Sequence, residues 1–237
     1  MNAVKSYFNR NWTRRDLLNT RKIRTHAHEN LITVYFTLFS AMLSATLGSN
    51  LHLFFEAGGL FTVISSVASL LCLCLTSPQR VRIRVSLLMI ATFFCGASVG
   101  VFTKYLFEIN QITVANFLAG TTIGIAFFSG GALITRERFD IYICCLVYCW
   151  HLILFCFIIN FLFIIDCRTA SSMYKVIVVL ILFMGYFVVY SQEILYDARF
   201  GDIDFVNRTL TVFFNLPAIL VHAARVLYQG ATTEQTR

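Results

Sequence analysis

The chain has 237 residues, of which 58% are hydrophobic and only 13% are charged. Soluble domains are about half apolar and about one quarter charged, so this composition excludes a water-soluble globular fold. The net charge of +7 does not indicate nucleic-acid binding, because many of the Lys and Arg residues fall within the first thirty positions, where they are typical of a membrane-orientation signal.

Residues 1–30 form a polar, basic tail that lacks an apolar segment followed by a cleavage site, so we expect no removable signal peptide. Apolar stretches follow, each near the length of about twenty residues with which a helix crosses a membrane. They cover residues 31–55, 58–77, 85–104, 112–134, 141–165, 172–196 and 203–227. The sequence therefore predicts an all-α, polytopic bundle of seven transmembrane helices over residues 31–227. A short polar tail follows over 228–237.

Charge counting predicts the orientation, because positively charged connections are retained in the cytosol. The tail and every second connection hold most of the Lys and Arg residues, and those in the connections are Arg80, Arg82, Arg84, Arg136, Arg138 and Arg199. The N-terminus is therefore expected in the cytosol. Seven crossings would place the C-terminus on the other side, unless the last helix is re-entrant.

Cysteine and glycine are concentrated inside the apolar stretches. Cysteine occupies positions 72, 74, 95, 144, 145, 149, 156 and 167. We interpret these residues as small hydrophobic side chains rather than as a disulfide framework or a metal site, and we expect no metal and no cofactor. Small residues let helices approach closely in a membrane, and the third and fourth stretches contain Gly96, Gly100, Gly120, Gly124, Gly130 and Gly131.

Polar residues in the sixth and seventh stretches are candidate functional residues, because ionisable groups are costly in hydrocarbon. The sixth stretch carries Tyr186, Tyr190, Glu193 and Asp197. The seventh carries Arg208, Thr211, Asn215, His222 and Arg225. Residues three or four positions apart share a helix face, so each set forms a polar stripe.

The short connection between these stretches predicts a tight antiparallel hairpin. Gly201 is placed to end the sixth helix, and Asp202 is placed to cap the seventh. Asp204 lies near the positive end of the seventh helix dipole. Pro217 removes a backbone donor further along and is typical of a kink.

Counting along both helices at about 1.5 Å per residue brings Glu193 level with Arg208. The same count brings Tyr190 level with the segment 211–215. We therefore predict an ion pair between Glu193 and Arg208. We also predict that the Tyr190 hydroxyl faces the Asn215 amide one turn deeper.

The two stripes have two interpretations. They either lock the helices together or line a narrow hydrophilic path or gate near the cytosolic end. Candidates for the path are Tyr186, Glu193, Arg208, Thr211 and His222.

Catalytic motifs are absent from the sequence. It contains no G-x-S-x-G, H-E-x-x-H or phosphate-binding loop, so we predict no catalytic residues and no enzymatic activity. His28 is expected to be solvated at the cytosolic surface. His151 is expected to be hydrogen-bonded within the fifth helix rather than to ligate a metal.

The hairpin sequence resembles that of the Bax inhibitor-1 family. The shared segments are GYFVVYSQEI at 185–194, GDIDFV at 201–206, LTVFFN at 210–215, RVSLLM at 84–89 and GASVG at 96–100. Their order and spacing extend the resemblance over nearly the whole chain after the tail. The resemblance implies a bundle of the Bax inhibitor type with a central, polar last helix.

The same resemblance implies a multi-pass protein of the endoplasmic-reticulum membrane that regulates apoptosis negatively. It also implies a role in stress signalling and calcium homeostasis, with a pH-sensitive calcium leak and no enzymatic activity. The implied partners are the lipid bilayer and membrane-bound cell-death or stress regulators.

The family's calcium path is associated with a pair of aspartates, and the matching positions here are Tyr190 and Asn215. Two close acids are the usual basis of a shared proton and of cation attraction. Their replacement argues against a proton-gated leak and makes the chain a divergent member. Two alternatives stay open: a channel or transporter for another substrate, and an inert membrane scaffold.

Overall fold

The structure is a computed structural model that describes residues 22–55, 59–107, 111–163, 167–198 and 203–215. Regular structure within these ranges is entirely α-helical. Six helices are α1 Thr25–Phe55, α2 Leu60–Leu75, α3 Val81–Phe107, α4 Gln111–Ile134, α5 Arg138–Phe163 and α6 Cys167–Asp197. A further helix, α7, begins at residue 205 and is described as far as 215.

Five described segments are long and apolar enough to cross a membrane: Thr25–Leu51, Val81–Val99, Val114–Ile134, Arg138–Phe155 and Met173–Leu195. The predicted fold class, a polytopic all-α membrane bundle, is therefore confirmed. The second predicted span is shorter, because α2 has only 16 residues. Several predicted features lie outside the described residues, namely most of the basic tail, Gly201, Asp202, Pro217, His222, Arg225 and the tail at 228–237.

Helix α1 begins at Thr25, ahead of the apolar stretch, so the boundary predicted at residue 30 lies inside a helix. His28 is buried in this first part of α1. Its Nε2 lies 2.7 Å from the carbonyl oxygen of Ala132 and 3.1 Å from that of Thr135, at the end of α4. The expectation that His28 is solvated is wrong, because the last carbonyls of a helix lack partners in their own helix and the imidazole contacts them here.

Helix α6 has neighbours on several sides within the described bundle. It packs against α1, α4 and α5, whereas α2 packs against α3 alone among these helices. Four fully buried rings surround this junction: Tyr35, Phe128, Phe183 and Phe187. The rings of Phe128 and Phe187 meet edge to face with their centroids 4.7 Å apart, a favourable arrangement for aromatic pairs. The interior position of α6 places its polar C-terminal turns against several neighbours.

Helices α1 and α3 cross in direct backbone contact. A Cβ atom added to Gly96 would lie closer than 3.0 Å to the carbonyl oxygen of Ala45, and one added to Gly48 would lie equally close to the carbonyl of Phe93. Since no side chain fits between these backbones, the crossing requires glycine at both positions.

The prediction that glycines mark close packing between helices is confirmed at some positions and wrong at one. Close packing is confirmed at Gly96, Gly120, Gly124 and Gly131. It is wrong at Gly130, where an added Cβ would meet nothing within 4 Å. The side-chain environment of Gly100 lies outside the described residues.

One end of the bundle collects the start of α1 and the α2–α3, α4–α5 and α6–α7 connections. The Ile23 amide donates to the Arg136 carbonyl at 3.0 Å, and Arg84 pairs with Asp204 at 2.9 Å. We call this the basic end, because it exposes Lys22, Arg24, Arg80, Arg82 and Arg136. The alternation of connections agrees with the charge count. The cytosolic location of this end stays a prediction.

Candidate functional site

The last three turns of α6 carry the candidate polar residues into the protein interior. Spacings of four and three residues place Tyr186, Tyr190 and Glu193 on one face of the helix. The rings of Tyr186 and Tyr190 stack with their centroids 6.2 Å apart. Tyr190 and Glu193 are both buried. This face therefore needs polar partners from the next helix.

Arg208, in the first turn of α7, supplies the main partner. Its Nη1 donates to Glu193 Oε1 at 2.9 Å, and its Nη2 donates to Asp197 Oδ2. The predicted ion pair between Glu193 and Arg208 is therefore confirmed, and Asp197 joins it. The Glu193 side chain is only 5% exposed, against 28% for Arg208. We call these three residues the Arg208 clamp.

The predicted contact between Tyr190 and Asn215 is wrong, because each of these side chains has a different partner. Asn215 Nδ2 donates instead to the hydroxyl of Tyr186 at 2.9 Å. The Tyr190 hydroxyl donates to the backbone carbonyl of Arg208 at 3.1 Å. A helical carbonyl points one turn ahead along its own helix, so the Arg208 oxygen lies at the level counted for Tyr190. Tyr190 and Asn215 thus make separate hydrogen bonds.

Thr211 does not join the buried polar face. Its side chain is exposed, and its hydroxyl donates to the Asn207 carbonyl of its own helix at 2.9 Å. His222, the other deep candidate for a path, lies outside the described residues. Of the predicted path residues, Tyr186, Glu193 and Arg208 therefore take part in the buried polar contacts between α6 and α7.

The start of α7 is fixed by Asp204, so the N-cap predicted at Asp202 is wrong by two residues: the helix begins at residue 205. One carboxylate oxygen of Asp204 accepts the Asn207 amide at 3.2 Å, which is an N-cap bond. The other oxygen lies 2.9 Å from Arg84 Nη1, and Arg84 Nη2 donates to the Asn207 side chain at 2.9 Å. Arg84 ties α3 to the hairpin. Sequence reasoning missed this role because it counted Arg84 only as an orientation signal.

A second set of buried polar contacts lies on the other side of α6. Arg138 Nη1 donates to Gln192 Oε1 at 3.0 Å, and Gln192 Nε2 donates to the Tyr142 hydroxyl. Next to them, the Tyr35 hydroxyl donates to Ser191 Oγ at 2.6 Å. The sequence shows Ser191 and Gln192 beside Glu193, but their partners on α1 and α5 follow only from the fold.

The geometry of the clamp bears on what the site can do chemically. A cation path that relies on carboxylates needs their negative charge to be available to the ion. Here the buried Glu193 carboxylate is held by a guanidinium, and that guanidinium also binds Asp197. The arrangement is therefore suited to holding α6 and α7 together.

Two further predictions concern possible ligands. Among the described residues, no group of three or more His, Cys, Asp or Glu side chains is placed to hold a metal ion. His151 Nδ1 lies 2.7 Å from the Val147 carbonyl, so the expected hydrogen bond within α5 is confirmed.

These observations define a class: a multi-pass helical membrane protein in which α6 bonds to its neighbours through buried polar side chains. Comparison with known proteins identifies the family. The profile of the family described as "Inhibitor of apoptosis-promoting Bax1" matches residues 27–231. The chain belongs to this Bax inhibitor family.

Two curated relatives are similar over nearly their full length. Bax inhibitor 1 of Arabidopsis thaliana is 29% identical, and the alignment covers 99% of this chain and 97% of the relative. Bax inhibitor 1 of Oryza sativa subsp. japonica is also 29% identical, with coverage of 93% and 88%. No solved structure is a significant match.

Proposed function

We propose that this protein is a non-enzymatic, negative regulator of apoptosis and stress signalling in the endoplasmic-reticulum membrane. It acts through membrane-bound partners, with its N-terminus in the cytosol, and does not use a proton-gated calcium leak. Membership of the Bax inhibitor family supports the regulatory role. The names of the two plant relatives support it as well.

The Arg208 clamp is the observation that carries the argument against the leak. The buried Glu193 carboxylate lies only one turn along α6 from Tyr190. A carboxylate that is paired and hydrogen-bonded attracts a passing cation less than a free one, because a guanidinium lies 2.9 Å from it. An acid held in this way is a poor substitute for a pair of close aspartates.

The replaced positions support the same proposal. Neither Tyr190 nor Asn215 carries a carboxylate, so the two cannot share a proton as close acids do. Each is also engaged elsewhere, Tyr190 with the Arg208 backbone and Asn215 with Tyr186. Tyr190 and Asn215 therefore give acidification no acid pair on which to act.

The test measures survival and luminal calcium in the same cells. The chain is expressed in cells in which Bax expression induces death and which carry a calcium indicator in the endoplasmic reticulum. Membrane fractionation checks the location of the chain. We expect improved survival with luminal calcium unchanged. The proposal would be overturned if survival improved while luminal calcium fell, and if Glu193→Gln abolished that fall in calcium.

A channel or transporter for another substrate is the first alternative. It would use the face of Tyr190, Glu193 and Asn215 as a polar path. The bonds that these side chains make between α6 and α7 favour a closed contact over such a path. A conductance for other ions, lost in Glu193→Gln, would support the channel.

An inert scaffold is the second alternative. It predicts no gain in survival from the wild-type chain. It also predicts that variants of the Arg208 clamp change only the folded yield.

A further inference from the structure

Helix α2 carries two exposed thiols in its last turn. Of the six cysteines that the structure describes, only Cys72 and Cys74 are exposed, whereas Cys95, Cys144 and Cys149 are partly covered and Cys145 is buried. All six are free of disulfide bonds. The accessible thiols of the described chain are therefore confined to one helix end.

The position of these thiols is at the edge of the apolar part of the bundle. Helix α2 ends at Leu75, and the Thr76 amide closes its last turn by donating to the Cys72 carbonyl at 3.0 Å. The polar residues Ser77 to Gln79 follow at once. Thiols one turn from such a boundary lie where hydrocarbon meets the polar surface.

The connection after α2 belongs to the basic end and exposes Arg80 and Arg82. Exposed arginines next to a membrane are attracted to anionic lipid head groups. This attraction holds the connection close to the membrane surface. The thiols are thereby kept within reach of groups that reside in that surface.

The dimensions of α2 leave room for an additional anchor. Its 16 residues span about 24 Å at about 1.5 Å per residue, which is less than the hydrocarbon thickness of about 30 Å. It packs mainly against α3, although Leu73 in its last turn also lies in a buried cluster with Ala41 of α1 and Val206 of α7. Leu71 and Leu75 beside the thiols are also exposed. A short helix at the periphery gains the most from extra hydrophobic attachment.

We propose that Cys72 and Cys74 are S-acylated with long-chain fatty acyl groups. Cysteines next to a membrane boundary are typical acceptors of this modification. In the reaction, the cysteine sulfur attacks the thioester carbonyl of a long-chain acyl-coenzyme A, directly or through a membrane acyltransferase. A new thioester forms on the cysteine, and the bond to coenzyme A breaks. The thiol proton ends on the coenzyme A sulfur, with no change in oxidation state.

The acyl chains extend from the last turn of α2 into the surrounding lipid, on either side of the buried Leu73 that packs toward the bundle. They anchor the end of a short helix that packs mainly against one neighbour, α3. This inference rests on exposure and position. It does not depend on the proposed regulatory function.

Cys144 provides a matched control. It lies about two turns into α5 from the basic end, which is about one turn deeper than Cys72. Its sulfur packs against Gly131, where an added Cβ would lie 2.7 Å from Cys144 Sγ. A partly covered thiol at the same end of the bundle should escape acylation.

The experiment counts thioesters on the full chain expressed in eukaryotic cells. Free thiols are blocked, thioesters are cleaved with hydroxylamine, and the released thiols are tagged with a polymer maleimide that shifts the band on a gel. We expect a shift of two tags for wild type, one for Cys72→Ser or Cys74→Ser, and none for the double variant. Cys144→Ser should match wild type.

Two results would overturn the inference: no hydroxylamine-dependent shift in wild type, or an undiminished shift in the double variant. Mass spectrometry of the wild-type peptide that contains both cysteines decides the matter without any variant. An added fatty acyl mass on that peptide supports acylation. A peptide found only with unmodified thiols contradicts it.

Discussion

The α1–α3 crossing and the α6–α7 hairpin both bring two helices together, but by opposite means. At the crossing, Gly48 and Gly96 bring the backbones into direct contact and leave no space for a side chain. At the hairpin, long polar side chains reach across, and Arg208 bonds two carboxylates of α6. The first contact depends on the absence of side-chain atoms and the second on the attraction between opposite charges. Each should therefore fail under a different kind of substitution.

The largest effect is expected from removing the positive charge of Arg208 at the hairpin. Arg208→Met leaves the Glu193 carboxylate buried without its guanidinium, which should lower the free energy of unfolding by about 3–5 kcal/mol. Thermal unfolding of the detergent-solubilised protein measures the loss. Arg82→Met, at an exposed position, is the control. A second change, Glu193→Gln, should restore part of the stability, and equal losses in Arg208→Met and Arg82→Met would contradict the role of the clamp.

The next effect is expected from adding one methyl group to the crossing. Gly96→Ala forces α1 and α3 apart because the new Cβ overlaps the Ala45 carbonyl, and overpacking of this kind costs about 1–3 kcal/mol. Gly130→Ala is the matched control, since an added Cβ there meets nothing within 4 Å. Both gain similar helix propensity. A folded yield for Gly96→Ala equal to that of Gly130→Ala would show that the helices do not meet as described.

Two substitutions of Asp204, at the start of α7, distinguish the contribution of the N-cap from that of the charge. Asp204→Ala removes the N-cap bond to Asn207 and the partner of Arg84, whereas Asp204→Asn keeps an oxygen that can cap the helix. The loss of a cap costs about 1 kcal/mol, so the Ala variant should unfold at a lower temperature than the Asn variant. Identical melting temperatures would mean that the cap contributes nothing.

The smallest effect is expected from a single neutral hydrogen bond. Tyr186→Phe deletes the bond from Asn215, and such bonds between membrane helices average about 0.6 kcal/mol. Tyr174→Phe, at an exposed position of the same helix, is the control. If Tyr186→Phe were as damaging as Arg208→Met, the hairpin would not depend mainly on charge.

The hairpin was the part of the site most open to sequence reasoning. Its two helices are joined by a short connection, so counting from the turn correctly paired Glu193 with Arg208. The same count misassigned Tyr190, because it considered side chains and overlooked the Arg208 backbone carbonyl as an acceptor. Periodicity alone cannot say which of several acceptors at one level a side chain will use.

Contacts between distant segments could not be predicted in the same way. Arg84, Arg138 and His28 each find partners on helices far away in the sequence. Their positions near the ends of apolar stretches suggested that they lie in loops, where side chains are usually exposed to solvent. The crossing at Gly48 was missed for a related reason: a lone glycine marks a close approach only when the opposite backbone is known.

The central claim is that the Arg208 clamp and the replaced aspartate positions leave no proton-gated calcium path. The most direct measurement is calcium efflux from liposomes that contain the purified protein, at neutral and at acidic pH. We predict no efflux above protein-free liposomes for wild type at either pH, and a pH-dependent efflux for Tyr190→Asp/Asn215→Asp. A robust, pH-gated efflux from the wild-type protein would contradict the claim.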